Sequence, residues 1–169
     1  MAQTGWASLR VLVADDNVHM RSIIIQMLKG IEVTAVAEAQ DGKHAYETLG
    51  RWPADLAIVD FNMQPVDGVA FTRMVRTAPD TPNPYLPIIM LTGHSEEHRV
   101  ESARDAGVNE FLVKPVNVGA LVARLNSVVY RQRPFIRCAG YFGPDRRRNA
   151  APHYAGPWRR ESDKDRRPG

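Results

Sequence analysis

The chain has 169 residues, 44% of them hydrophobic, with 22 Lys/Arg against 19 Asp/Glu, a formal net charge of +3 and one cysteine. That composition suffices for one good core, and the lone Cys138 excludes an internal disulfide framework or a thiolate zinc cluster and suits a reducing compartment. No opening stretch resembles a signal peptide and no apolar run nears the roughly 20 residues needed to cross a bilayer, so a cytoplasmic protein with no membrane span is expected.

Residues 1–8 read as an N-terminal extension. The first apolar run, Leu9–Ala14, predicts a strand and ends on Asp15-Asp16. Met20, Ile23, Ile24, Met27 and Leu28 then recur at one-face helical spacing. Val33–Ala37 predicts a second strand, and Ala45 with Leu49 a helix behind it. Leu56–Val59 predicts a third strand, ending on Asp60, and Phe71, Met74 and Val75 mark the next helix. Pro79, Pro82, Pro84 and Pro87 belong to the connection that follows, because proline cannot donate to a central ladder. Ile88–Leu91 predicts the fourth strand, with Thr92 directly after it. From Ser95 to Ala106 runs a weak amphipath, capped by Ser95 and stopped by Gly107, whose apolar face is only Val100, Ala103 and Ala106. Glu110–Val113 predicts the fifth strand, leading to Lys114-Pro115, and Leu121, Val122, Leu125, Val128 and Val129 mark the closing helix.

These strands are short and mostly lack polar alternation, as strands covered on both faces do. Alternation of β and α elements implies right-handed crossovers and a doubly wound, five-stranded parallel sheet. With strand order 2-1-3-4-5, the first and third strands are central neighbours, so Asp15, Asp16 and Asp60 converge at the switch point. Thr92 then sits beside Asp60, and Lys114 reaches in from the outer strand.

Three crowded carboxylates repel one another unless some stay protonated or a cation neutralises them. Oxygen-only ligands with room for waters favour Mg²⁺, which also recruits phosphate oxygens. A carboxylate can attack phosphorus to form an acyl phosphate, and the transferring group then needs positive partners around its oxygens. Mg²⁺ supplies one, the Lys114 ammonium a second, and the Thr92 hydroxyl a hydrogen bond. Each feature alone has a plainer reading: an Asp-Asp pair as a helix cap, Asp60 as a loop residue, Lys-Pro as a turn, Phe111 as core. It is their joint placement at strand ends that argues for chemistry.

The pieces V-L-V-A-D-D-N at 11–17, I-V-D-F-N-M-Q-P-V-D-G at 58–68, I-I-M-L-T-G at 88–93 and F-L-V-K-P at 111–115 occur in order. With them, residues 9–130 resemble the receiver domain of two-component response regulators, a flavodoxin-like fold, here in a stand-alone form similar to chemotaxis regulators. The resemblance implies that Asp60 is the phospho-acceptor, that Asp15 and Asp16 hold Mg²⁺ with Asp60, and that Asn62 lends its backbone carbonyl. It implies that Lys114 contacts the phosphoryl group, that the Lys114–Pro115 bond is cis, and that Thr92 and Phe111 form a switch pair. Asn62 and His94 resemble the positions that tune phosphoryl lifetime. Pro65 falls one place later than is usual for the family, behind Gln64.

An aspartate-nucleophile phosphatase would resemble D-x-D-x-[TV] at its nucleophile, whereas Asp60 leads into Phe61-Asn62-Met63-Gln64. A flavin carrier shares the fold but wants amides and hydroxyls in the first loop, where Asp15-Asp16 would repel a phosphate. His94 and His98 share a helix face without a partner that completes a metal site.

Charge divides the chain. Residues 1–130 hold eleven Lys/Arg against fifteen Asp/Glu, and residues 131–169 eleven against four. The latter stretch, rich in Pro, Gly and Arg, reads as a basic tail largely without a fold of its own, and Phe135 to Arg148 resembles an extension motif of some stand-alone receivers. Its arginines and aromatics suit protein docking better than nucleic acid or membrane, and 39 residues are too few for a winged-helix output domain. The expectation is a response regulator, not an enzyme on external substrates. A histidine kinase or phosphotransfer protein would phosphorylate Asp60 with Mg²⁺, switching a surface for a downstream protein; sequence-specific DNA binding is not expected, and a homodimer is open. The alternatives are a degenerate receiver acting as an adaptor without phosphorylation, and nucleic-acid binding through the tail.

Overall fold

The computed structural model describes residues 5–93 and 98–147. Each β-to-α step obeys the local signals. β1 (Arg10–Ala14) leads to α1 (Val18–Gly30), where the Asn17 side chain accepts from the N–H groups of His19 and Met20 and so satisfies orphan donors of the first turn. β2 (Ala35–Ala39) leads to α2 (Gly42–Arg51), capped likewise by Asp41. β3 (Leu56–Asp60) leads to α3 (Gly68–Thr77), capped by Asp67. β4 (Ile88–Thr92) precedes α4 (Val100–Ala106), and β5 (Glu110–Val113) precedes α5 (Val118–Tyr130), capped by Asn117.

All five strands pair in parallel in the order β2-β1-β3-β4-β5. Side chains alternate across the sheet and supply two cores. Leu12, Ala14, Ala57, Val59, Ile88 and Met90 pack with α2, α3 and α4. Val11, Val13, Ile58, Ile89 and Leu91 pack on the other face with α1 and α5. Helices on both sides leave the strand ends as the place where loops meet, which is the doubly wound arrangement expected.

Several expectations shift. β2 begins two residues later than the run Val33–Ala37, because Val33 folds back under α1, its N–H bonded to the Leu28 carbonyl. On α1 the buried residues are Ile24, Ile25 and Leu28, while Ile23 is exposed; three successive isoleucines let the helix turn either face inward. Trp6 is only 4% exposed and joins the α1/α5 core, so part of the N-terminal extension is packed. The predicted start of α4 at Ser95 lies outside the described residues, as do residues 1–4 and 148–169.

The largest departure concerns residues 131–147, the described part of a tail expected to be largely without a fold of its own. Phe135–Cys138 (β6) and Tyr141–Pro144 (β7) form an antiparallel hairpin, turning at Ala139-Gly140, where Gly140 takes φ +75°. It packs because Phe135, Phe142 and Tyr85 interlock with ring centroids 5.2 to 5.5 Å apart.

Candidate functional site

Strand ends bring the predicted residues together. Pairing of Ala14 with Val59 sets Asp15, just past β1, level with Asp60, the last residue of β3. One carboxylate oxygen from each of Asp15, Asp16 and Asp60 lies within 4.8 Å of the others, Asp15 and Asp60 buried and Asp16 exposed. Lys114 follows β5 and reaches back over the pocket, its Nζ 2.6 Å from Asp60 Oδ1 and 4.0 Å from Asp15 Oδ2. The Lys114 N–H donates to the Thr92 carbonyl at 2.8 Å, which ties the ends of β4 and β5 together, and the Lys114–Pro115 bond is cis. The Gln64–Pro65 bond is cis as well.

Burial pushes Asp60 up to about 6, a rise that the Lys114 hydrogen bond restrains and the neighbouring Asp15 and Asp16 charges reinforce. Asp15 is also raised, first by burial, against the pull of the Asn17 N–H, which donates to its Oδ1 at 2.8 Å. Its Oδ2 is buried without a hydrogen-bond partner among the described residues. An orphaned carboxylate oxygen flanked by two more acids is what a cation satisfies. With only oxygen donors, Asp15, Asp16 and Asp60 fit a hard divalent ion that keeps several waters, as Mg²⁺ does.

Thr92 closes β4 and is buried. Phe111 pairs with Met90 across the sheet and is half-buried, with the Arg104 guanidinium of α4 5.8 Å from its ring centre. Asn62 is exposed in the loop after β3, and His94 lies outside the described residues.

Three further residues shape the pocket without having been singled out. Arg21 donates from Nη1 to the Asp15 carbonyl at 2.6 Å and from Nε to Glu38 at 2.8 Å, steadying the first loop. A Cβ on Gly68 would stand 2.4 Å from the Asp60 carbonyl oxygen, so α3 can start against the end of β3 only without a side chain. Arg99 lies 4.7 Å over the Phe61 ring and 3.9 Å from Asp67 Oδ2. The only sequence signal among these was Asp67-Gly68, a turn pair closing the second motif; nothing marked the two arginines.

Similarity to known proteins agrees with this geometry. The sequence profile of the response regulator receiver domain matches residues 11–126. The chemotaxis protein CheY of Pseudomonas aeruginosa is 32% identical over 123 residues, covering 73% of this chain and 98% of that protein. The crystallised chemotaxis protein CheY4 of Vibrio cholerae superposes with a TM-score of 0.65 at 28% identity, over 72% of this chain and 98% of that one. The receiver domain of a sensor histidine kinase from Pseudomonas aeruginosa, solved with a magnesium ion coordinated in its active-site cleft, gives 0.63 at 28% identity, over 70% and 94%. Among the described residues no helix is long and apolar enough to cross a membrane. On the fold, the acidic pocket and the profile match together, the chain belongs to the response regulator receiver domain family.

Proposed function

We propose that Asp60 accepts a phosphoryl group from the phosphohistidine of a histidine kinase or phosphotransfer protein, and that the modified chain then binds a downstream protein. The observation that carries this reading is the 2.6 Å contact of Lys114 Nζ with Asp60 Oδ1 inside the triad of carboxylates. An Asp60 oxygen attacks phosphorus while the donor's P–N bond opens and the imidazole departs with that electron pair. An acyl phosphate results.

Asp15, Asp16 and Asp60, with the backbone carbonyl of Asn62, would hold Mg²⁺, whose charge offsets that of the phosphoryl oxygens. Lys114 holds the acceptor oxygen in line and stays to balance the product's charge. The Thr92 hydroxyl donates to a phosphoryl oxygen, and Phe111 moves into the space that this leaves. Asn62 and His94 set how readily water reaches the acyl phosphate. The chemistry is done on the chain itself and no separate metabolite is turned over. The receiver unit is residues 9–130. The adaptor reading without phosphorylation is not favoured, since a degenerate receiver has no need of three acids and a lysine in contact.

Incubation with a small acyl-phosphate donor and Mg²⁺, followed by intact mass, tests the assignment. Wild type should gain one phosphoryl group and Asp60→Asn none. A modified Asp60→Asn protein would place the acceptor elsewhere.

A further inference from the structure

We propose that the β6–β7 hairpin is a latch on the C-terminal end of α4, coupled through α4 to the switch residue Phe111. The inference rests on the reading of Asp60 as acceptor for its regulatory meaning, though not for the latch contact itself.

α4 has little of its own to hold it. It is seven residues long, no side chain among the described residues caps its start, and only Ala103 and Ala106 are buried. Two methyl groups contribute little burial, so its position is decided by what grips its ends. At its start, Arg99 reaches Phe61 and Asp67, both in the loop that follows the acceptor. At its far end the hairpin takes over. Arg146 Nη1 pairs with Asp105 at 2.7 Å, and the Arg146 guanidinium lies 4.3 Å over the Tyr141 ring.

The turn that stops α4 is wedged under β7. Gly107 takes φ +106°, and a Cβ there would stand 3.0 Å from both the Phe142 carbonyl oxygen and Arg76 Nε. A Cβ on Gly143 would stand 2.9 Å from Gly107 Cα. Backbone meets backbone at this point, which only two glycines allow. Beneath the turn, the buried Arg76 donates to the Gly107 carbonyl from Nε at 3.1 Å and Nη2 at 2.9 Å, and to Asn109 Oδ1 at 2.9 Å. Phe135 of the hairpin covers that guanidinium at 4.9 Å, and Arg133 donates to the Asn109 carbonyl.

One helical turn thus links the two sites. The Arg104 guanidinium lies 5.8 Å from the Phe111 ring centre, and the next residue, Asp105, pairs with Arg146, two residues past β7. Any displacement of Phe111 on phosphorylation displaces Arg104 and works against the Asp105–Arg146 pair. The coupling is reciprocal: a hairpin that grips α4 favours the resting position of Phe111, and loosening the grip favours the phosphorylated one.

The test uses the full chain with Arg146→Ala and the charge swap Asp105→Arg/Arg146→Asp. In the unmodified proteins, amide hydrogen exchange of Ala103–Gly107 should quicken about two- to five-fold in Arg146→Ala, the range expected of one exposed ion pair, and return towards wild type in the swap. Unchanged exchange overturns the latch, with no phosphorylation required. In wild type carrying beryllofluoride and Mg²⁺, the amide resonances of Tyr141, Phe142, Gly143 and Asp145 should shift along with that of Phe111. If those of Asp60 and Phe111 shift while the hairpin's do not, the coupling is wrong although the acceptor assignment stands.

Discussion

Asp60 carries two opposed demands, burial and charge. Its carboxyl is raised from 3.8 to about 6, mainly by desolvation, so the folded, metal-free protein keeps its proton up to about pH 6 and holds a poorly solvated carboxylate above that. A raised acid contributes stability that is fully present below its unfolded value and is lost as pH rises through the folded one, here between about pH 4 and 6. Roughly two pKa units correspond to about 3 kcal/mol, which the loss of the Lys114 contact in a neutral variant reduces. Asp60→Asn should therefore be more stable than wild type by about 1–3 kcal/mol at pH 7.5 in chelator, with the gap closing near pH 4. Urea melts at the two pH values check this, and parallel stability at both would show that the acid's burial is not what strains the pocket. Lys114 bears the complementary role. Lys114→Met should slow acyl-phosphate labelling of Asp60 by about 10²-fold or more, the usual cost of removing one charged stabiliser, while the fold persists. Gly68→Ala tests packing instead: the added methyl meets the Asp60 carbonyl at 2.4 Å and should cost about 1–3 kcal/mol in a urea melt.

At the scale of elements, Arg76 shows how a side chain of the solvent type becomes structural. It is 3% exposed, with no carboxylate partner among the described residues, and burial pushes it down to about 9, so it remains charged near neutrality. Its Nη1 holds the Pro84 carbonyl before β4, while Nη2 holds Asn109, whose Oδ1 also accepts from Ile88 N–H. Arg76→Met should leave three carbonyl oxygens short of a donor and cost about 2–4 kcal/mol by chemical denaturation, with the resonances of Tyr85 and Phe135 displaced. The same residue explains what the sequence concealed. Central strands β1, β3 and β4 were legible because burial on both faces writes an uninterrupted apolar run. β2 has one neighbour and mostly half-exposed positions, so its limits were misplaced. Phe135, Tyr141 and Phe142 sit in a stretch of Arg, Gly and Pro that reads as solvated, and their partner surface includes an arginine at a helix position that pattern assigns to water. The site was more legible than the hairpin because Asp15, Asp16, Asp60, Thr92 and Lys114 follow directly on strands that could be recognised. Arg21 and Arg99 were not, since helix arginines carry no spacing that distinguishes a loop brace from a surface charge.

Over the whole molecule, the two ends of the sheet are treated differently. At the N-terminal edge Trp6, Arg76 and the hairpin close the base with packing and carbonyl contacts. At the C-terminal edge three acids are gathered at a cost in stability, relieved in part by Lys114. Stability is thus given up where a ligand can restore it. Mg²⁺ held by the folded pocket would have no comparable site in the unfolded chain, so it should stabilise by about 2.7 kcal/mol at a hundred times its Kd. The gain must depend on pH. Ion binding requires Asp15 and Asp60 ionised, and both are raised by burial, so the increase in melting temperature with Mg²⁺ should be large at pH 7.5 and much smaller at pH 5. Asp15→Asn removes the ligand whose Oδ2 lacks a hydrogen-bond partner and should abolish most of the effect at pH 7.5. A Mg²⁺ response equal at both pH values, or intact in Asp15→Asn, would mean that the ion stabilises through some other part of the surface and that the triad does not hold it.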